Sequence, residues 1–314
     1  ARQFGVQLIE LGYHPRDIDY RKLIEAPLSP KPSISLLSFA DPHFQDLAEA
    51  GALLTSGQGG DQIFHRGGAI CTLADAVRDR VRPSNLVSLA LESARASRRS
   101  VWPALKAGLE FGVLRSPRAY VEKHLRDAAA RHAPDHASAA AAAAAALEDP
   151  WVRNAFQRGP GEAMRAVHIA DLQYYHNLSL PSLRFVPTPV LTSQPIVEFC
   201  CTVPTYRTFH GGRDRALARM AFEADLPPAS VDRKRKGDTT RFFAQVAAVN
   251  ADFLNSMLVG GELEARGLFN AARLKDKPKH AVVDFSHQLV AEIWLRSIKE
   301  RRLSQVHSLA PAPA

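Results

Sequence analysis

Cysteine is scarce in this chain: three residues in 314, Cys71, Cys200 and Cys201. They are too few and too unevenly spaced for a disulfide framework, and no C-x-x-C pair offers a zinc site or a redox dithiol. The adjacent Cys200-Cys201 lies in an apolar stretch that reads as core, and a reducing compartment, the cytoplasm, is expected. Long hydrophobic runs are also missing. No stretch approaches the roughly 18 apolar residues of a membrane-spanning helix, and no basic-then-apolar segment opens the chain, so neither membrane insertion nor export is indicated. H-E-x-x-H, G-x-S-x-G and the G-x-x-x-x-G-K-[ST] of a P-loop are all absent. Pro134 between His132 and His136 spoils a shared helical face, so these two do not read as a zinc pair. No basic stripe interleaved with aromatics marks a nucleic-acid platform.

What is present is the composition of a folded globular protein, 46% hydrophobic and 23% charged, long enough for one large domain or two ordinary ones. The net charge of +8 suits phosphate-bearing ligands, while the arginine-rich runs Arg95 to Arg99 and Arg301-Arg302 read as solubility or as contact for a polyanionic partner. The chain opens abruptly, without methionine, on what is predicted to be the end of a helix, Arg2 to Leu11, as if sequence upstream lay elsewhere. One or two short helices are expected over Lys31 to Ala50, then a strand over Ala52 to Thr55. Helices follow at Ile70 to Val81, Asn85 to Ala96 and Trp102 to Phe111, separated by Pro, Gly or Ser. Eight consecutive alanines, Ala139 to Ala146, predict a surface helix or spacer, since alanine favours the helix but has little area to bury. From Gly212 a helical face carries Leu217, Met220, Ala221 and Ala224, and Leu226-Pro227-Pro228 ends it. Two more helices are predicted over Arg241 to Leu258 and Ala281 to Ile298, before a tail at Ala310 to Ala314. Arg158-Gly159-Pro160-Gly161 reads as a turn, Tyr174 and Tyr175 as packing residues, and Glu198 as structural as readily as functional.

The most informative segment is Leu54-Thr55-Ser56-Gly57-Gln58-Gly59-Gly60-Asp61-Gln62-Ile63-Phe64, a glycine-rich turn directly after a short apolar strand. Gly57, Gly59 and Gly60 let the backbone take positive φ and approach a ligand, so that successive N–H groups can face one anion. Ser56 adds a hydroxyl, and Asp61 is the type of ligand a hard cation such as Mg²⁺ prefers. Alone, a glycine cluster is more often just a turn.

A second pattern lies downstream: Gln194-Pro195-Ile196-Val197-Glu198-Phe199, Pro204, Gly211-Gly212-Arg213-Asp214-Arg215-Ala216-Leu217-Ala218-Arg219, then Leu226-Pro227 through Val231-Asp232-Arg233-Lys234-Arg235-Lys236-Gly237. Together the two patterns resemble the asparagine-synthetase-like ATP pyrophosphatases, whose motifs run S-G-E-G-x-D-E-[LI]-F and, later, G-G-x-x-K/R-x-L-x-R and L-P-x-x-[IV]-x-x-R-x-K-x-G. The Ser-Gly-Gln-Gly-Gly-Asp wording and the Lys236-Gly237 pair look most like the branch of lasso-peptide macrolactam cyclases. Gln58 departs from the glutamate usual in asparagine synthetases, and an amide cannot act as a base at neutral pH, so a changed acceptor is expected. The family's first phosphate loop, S-G-G-x-D-S, has no match.

The resemblance implies an α/β fold, mainly helical in this portion: an adenine nucleotide α-hydrolase-like core with a parallel sheet, of which residues 1–314 supply the C-terminal part. The residues themselves support only one or two strands followed by many helices. It implies ATP and Mg²⁺ as cofactors, with Ser56, Gly57, Gln58 and Gly59 at the nucleotide, Asp61 at the metal and Lys236, or else Lys234, stabilising charge as an acyl-adenylate forms and collapses. The substrate implied is a precursor peptide or aspartate, with a leader-peptide-binding protein and a protease as partners and neither nucleic acid nor membrane. Asparagine synthetase and a non-catalytic peptide-binding remnant stay open as alternatives.

Overall fold

The computed structural model describes residues 4–24, 46–47, 49–53, 55–64, 68–130, 136–172, 188–233, 240–275 and 285–309. They fall into two compact units, one of Asp46–Leu178 and Phe185–Lys236, the other of Ala1–Gln45, Ser179–Arg184 and Gly237–Ala314. The protein is mostly helical with one small parallel sheet, which agrees with an α/β class.

In the first unit, strand β1 (Thr55–Ser56) leads into α1 (Gly60–Ile63), α2 (Ala69–Arg78), α3 (Pro83–Ser97), α4 (Trp102–Leu109), α5 (Pro117–Ala129), α6 (His136–Leu147), α7 (Pro150–Ala155) and α8 (Pro160–Ala170). Strand β2 (Thr188–Pro189), α9 (Gln194–Thr202), α10 (Ala216–Ala221) and α11 (Pro228–Val231) complete it. Proline stands first in α3, α5, α7 and α8, where a backbone N–H has no helical partner to lose. Ser116 and Asp149 cap the starts of α5 and α7 with side-chain oxygens. Helix α2 is the hub. Its Leu73 packs with Ala90 and Ala104, its Ala74 with Ala107 and Phe111, and a glycine in α4, Gly108, lets Leu73 close in.

The strand expected over Ala52 to Thr55 is shorter and later. Among the described residues Thr55 and Ser56 pair, in parallel, with Thr188 and Pro189, after which the chain enters a 3-10 turn at Val190–Thr192. The alanine-rich helix is not a bare spacer: Ala143 and Leu147 are buried, and Leu147 joins Val121, Val152 and Met164 in one cluster. Helix α10 ends at Ala221, so the apolar face predicted from Leu217 to Ala224 is cut short, and Leu217 and Met220 are exposed.

The second unit holds α12 (Thr240–Val249), α13 (Ala251–Leu258), α14 (Glu262–Ala265), α15 (Ala272–Lys275) and α16 (Ser286–Leu309). Its core gathers Tyr20, Val246, Phe253, Leu254, Leu258, Leu289 and Ile293. The single helix expected over Arg241 to Leu258 breaks at Asn250. That buried amide accepts from Tyr20 N at 3.0 Å and donates to Ile18 O at 2.8 Å and Val246 O at 2.9 Å, so the chain bends by 73° to serve all three. Residues 6–11 of the helix end predicted over Arg2 to Leu11 take no regular form. Gly5 sits at φ +63°, and Val6, Leu8 and Ile9 are exposed, so no apolar face exists to hold a helix in place. Among the described residues no single helix is long and apolar enough to cross a membrane. The expectations for Lys31 to residue 45, for Tyr174 and Tyr175, for the His132 end of the histidine pair and for the tail lie outside the described residues.

Two buried carboxylates start helices. Asp75, on α2, accepts from the N–H groups of Gly161 (2.9 Å) and Glu162 (3.0 Å) and from the Thr205 hydroxyl. Burial pushes its pKa up to about 7, while the bonds from Thr205 and the two amides pull it down. Glu162 accepts from Thr205 N and pairs with Arg165, which in turn donates to the carbonyls of Cys200, Cys201 and Val203 at the end of α9. Glu292, fully buried, accepts from Glu262 N and Leu263 N at 2.8 Å each, and so caps α14. Asp75 faces Gly159 and Gly161, and Glu292 faces Gly261; a Cβ on any of these would lie 2.2–2.7 Å from the carboxylate oxygen. The segment Arg158 to Gly161, taken as an ordinary turn, is thus the seat of a carboxylate.

Candidate functional site

After β1 the chain turns through Gly57 and Gln58, and Gly59 takes φ +87° to start α1, so the first helical amides face back toward the turn. The α1 helix has only four residues. It is fixed by Ile63, which is 1% exposed against Ile169, Leu172 and Val197. A Cβ on Gly59 would meet the Thr192 methyl at 2.2 Å, so glycine is required there by both backbone and space. Two side chains of this turn are left unsatisfied: Ser56 Oγ and Gln58 Oε1 are buried atoms without a hydrogen-bond partner. A buried polar atom without a partner costs about 1–3 kcal/mol, so both groups are available to a ligand.

Gly57, Gln58, Gly59 and Asp61 line one side of a cavity of ≈ 750 Å³, and Arg215, Ala218, Arg219, Val231 and Arg233 line another. The two sequence patterns therefore meet. A direct bond joins them: Arg215 Nη1 donates to Asp61 Oδ1 at 2.9 Å, with both side chains 28% exposed. Arg215 is itself a non-glycine residue at φ +53°, turned so that its guanidinium reaches Asp61 and, at 3.4 Å, Asp214. Arg219, one helical turn on, donates to Asp214 O, Asp214 Oδ1, and the carbonyls of Ser230, Val231 and Arg233. It ties the entry of the basic segment to α10. Neither arginine was singled out from sequence, although both stand in the quoted motif, four apart at the start of a helix. Lys234 and Lys236 lie outside the described residues; Arg233, the last described residue before them, lines the cavity.

A family model described as asparagine synthase matches residues 3–296. The chain belongs to the asparagine synthase family. No curated protein and no solved structure matches it. Membership supports an ATP-dependent, amide-forming synthetase in general, with ATP as its nucleotide.

The residues fit a triphosphate. The unpartnered Ser56 hydroxyl, next to Gly57 of the cavity wall, is a donor, Gly57, Gly59 and Gly60 bring bare backbone to that wall, and Arg215 and Arg219 supply positive charge on the facing one. For Mg²⁺ the fit is narrower. Among the described residues no group of three metal-ligating side chains occurs, and Asp61, engaged by Arg215, is the one carboxylate of the glycine turn. Mg²⁺ is commonly held by one or two carboxylates together with substrate phosphates and water, so a lone Asp61 is compatible with it.

Proposed function

We propose that the protein activates a carboxylate with ATP and joins it to an amine, closing a macrolactam in a lasso-type precursor peptide. The observation that carries this reading is the convergence of the glycine turn and the Arg215–Arg219 helix on one cavity, with Ser56 and Gln58 unpartnered beside it. A carboxylate oxygen of the substrate attacks the α-phosphorus of ATP and the bond to pyrophosphate breaks. The amine nitrogen then attacks the acyl carbon, AMP leaves, and the amine gives up a proton.

In this reading Ser56 and the amides following Gly57 and Gly59 would hold phosphate oxygens, and Asp61 would hold a Mg²⁺, which would supply positive charge to the phosphates. Gln58 contacts the nucleotide or the acyl group by hydrogen bonding; it cannot serve as a base. Lys236 stabilises the charge that develops as AMP departs. A leader-peptide-binding protein and a protease would work beside the enzyme on the same precursor. Asparagine synthesis is the competing outcome, and Gln58 in place of glutamate weighs against it.

The test is ATP–pyrophosphate exchange with Mg²⁺ by the full-length protein, with precursor peptide, with aspartate, and with neither. Peptide-dependent exchange lost in Lys236→Ala is expected. Exchange with aspartate alone would reassign the substrate, and no exchange under any condition would refute the synthetase reading.

A further inference from the structure

Beside the nucleotide cavity lies a second, larger one of ≈ 1310 Å³, and six arginines line it: Arg95, Arg98, Arg99, Arg213, Arg219 and Arg233. Among the described residues, two carboxylates, Asp214 and Asp232, share the wall. Arg213 pairs with Asp232 at 2.8 Å, Arg219 with Asp214 at 3.3 Å, and Arg95 with Glu92 at 3.3 Å. Among the described residues that line the cavity, arginines outnumber carboxylates six to two. Such a concentration inside one concavity costs self-repulsion and is relieved by an anion.

The placement of these arginines is built rather than incidental. Helix α3 ends at Ser97, and Arg98 after it takes φ +54° and turns the chain so that Arg98 and Arg99 follow Arg95 on the cavity wall. Glu92 accepts from Gly212 N, where a Cβ would touch Arg95 Cβ at 2.9 Å, so the Gly211-Gly212 turn is brought against α3 and carries Arg213 onto the wall. Arg219 and Arg233 line both cavities, which makes them the shared edge between the arginine wall and the glycine turn.

We propose that this cavity binds an acidic peptide segment, and that the substrate activated at the glycine turn is a peptide carrying several carboxylates rather than free aspartate. This rests on the synthetase reading above. Size favours a peptide: small-molecule pockets run to about 300–1,000 Å³, and the second cavity exceeds that range before the nucleotide cavity is counted. Charge favours carboxylates, since guanidinium groups bind them in bidentate fashion. Position supplies the register. A peptide lying along Arg95, Arg98 and Arg99 and reaching Arg219 and Arg233 presents one carboxylate at the edge that the nucleotide cavity shares. The run Arg95 to Arg99, ambiguous in sequence between solubility and a polyanionic partner, takes the second role.

The test measures binding of a fluorescein-labelled Gly-(Glu-Ala)-repeat decapeptide to the full-length protein by anisotropy, without ATP, against the same peptide with Gln for every Glu. The Glu peptide binds at least about tenfold more tightly, and its affinity falls as salt rises. Arg98→Glu with Arg99→Glu removes about tenfold or more of that affinity, and the milder Arg98→Gln with Arg99→Gln removes part of it, with circular dichroism showing both folded. Lys106→Glu, an exposed charge on α4 outside the cavity, leaves affinity unchanged. Equal binding of the two peptides, or wild-type affinity in both arginine variants, overturns the proposal. So does displacement by tripolyphosphate at concentrations where the Gln peptide has no effect, because the cavity would then be a phosphate site. Pyrophosphate exchange is measured in parallel. Exchange with aspartate but no peptide binding sinks this inference and leaves the synthetase reading standing; peptide binding without exchange does the reverse.

Discussion

Two glycine turns in the same unit start helices in opposite ways. At Gly159-Pro160-Gly161 the amides of α8 are filled from within: the Asp75 carboxylate occupies the space the missing side chains leave, and accepts from Gly161 N, Glu162 N and Thr205. At Gly57-Gln58-Gly59-Gly60 no carboxylate among the described residues fills the turn. The nearest acid, Asp61, is directed to Arg215, and Ser56 Oγ and Gln58 Oε1 remain unpartnered. The first turn is closed by the protein's own carboxyl group; on the proposed function, the second is left for an anion supplied from outside. Glycine itself does not separate structural from functional turns, whereas the presence of an internal acceptor does.

The comparison breaks most visibly at Asp75. Asp75→Ala strands two buried amides and the Thr205 hydroxyl, each buried orphan costing about 1–3 kcal/mol. We expect a loss of about 3 kcal/mol or more in urea unfolding, and a loss of less than 1 kcal/mol would mean that water fills the seat. Gly59→Ala comes second. The new methyl meets Thr192 at 2.2 Å and the backbone must hold φ +87°, so about 1–3 kcal/mol is expected from overpacking and strain. Unlike the Asp75 variant, it should also abolish pyrophosphate exchange at temperatures where it remains folded.

A third, smaller effect is read in pH. Burial raises the folded pKa of Asp75 to about 7 from an ordinary value near 3.8, so the folded state binds a proton that the unfolded state has lost. Stability from this group is full below the ordinary value and is lost as pH rises through about 7, amounting to about 1 kcal/mol between pH 6.5 and 8. His168, lowered by burial, acts in the opposite sense as pH falls toward and below its ordinary value near 6.5, and the window avoids most of that. Asp75→Asn should be less stable than wild type and flatter across this window; an equal slope would place the titration elsewhere.

Much of the site was legible in the sequence, and for a physical reason. The glycine turn and the Gly211–Arg219 helix are local devices whose spacing survives in the chain, so Gly57, Gln58, Gly59 and Asp61, which line the cavity, could be named before the fold was seen, while Lys236, named with them, lies outside the described residues. What sequence could not supply was pairing across distance. Asp75 and Gly161 are bonded over 86 positions. Nothing in the periodicity of α2 marks that one acid on an apolar face as the cap of another helix. Asn250 likewise breaks a well-patterned helix because it must serve Ile18 and Tyr20 at the other end of the chain. Arg215 lay inside a motif already quoted, yet its partner, Asp61, could be assigned only once both were in space.

The smallest stability effect carries the sharpest discrimination. Ser56→Ala deletes a buried hydroxyl that has no partner, so it removes a desolvated group without breaking a bond. If the turn were structural like the one at Gly159, the hydroxyl would contribute and its loss would destabilise the protein by about 1 kcal/mol. If the turn awaits a phosphate, the free protein should be unchanged to within about 0.5 kcal/mol or slightly more stable. Pyrophosphate exchange should nevertheless fall by about tenfold or more, because a donor aimed at developing negative charge is lost. Stability and activity then move independently, as expected where a fold holds a polar group in reserve for a ligand. A Ser56→Ala protein that is less stable but fully active would place this turn in the same class as its closed counterpart.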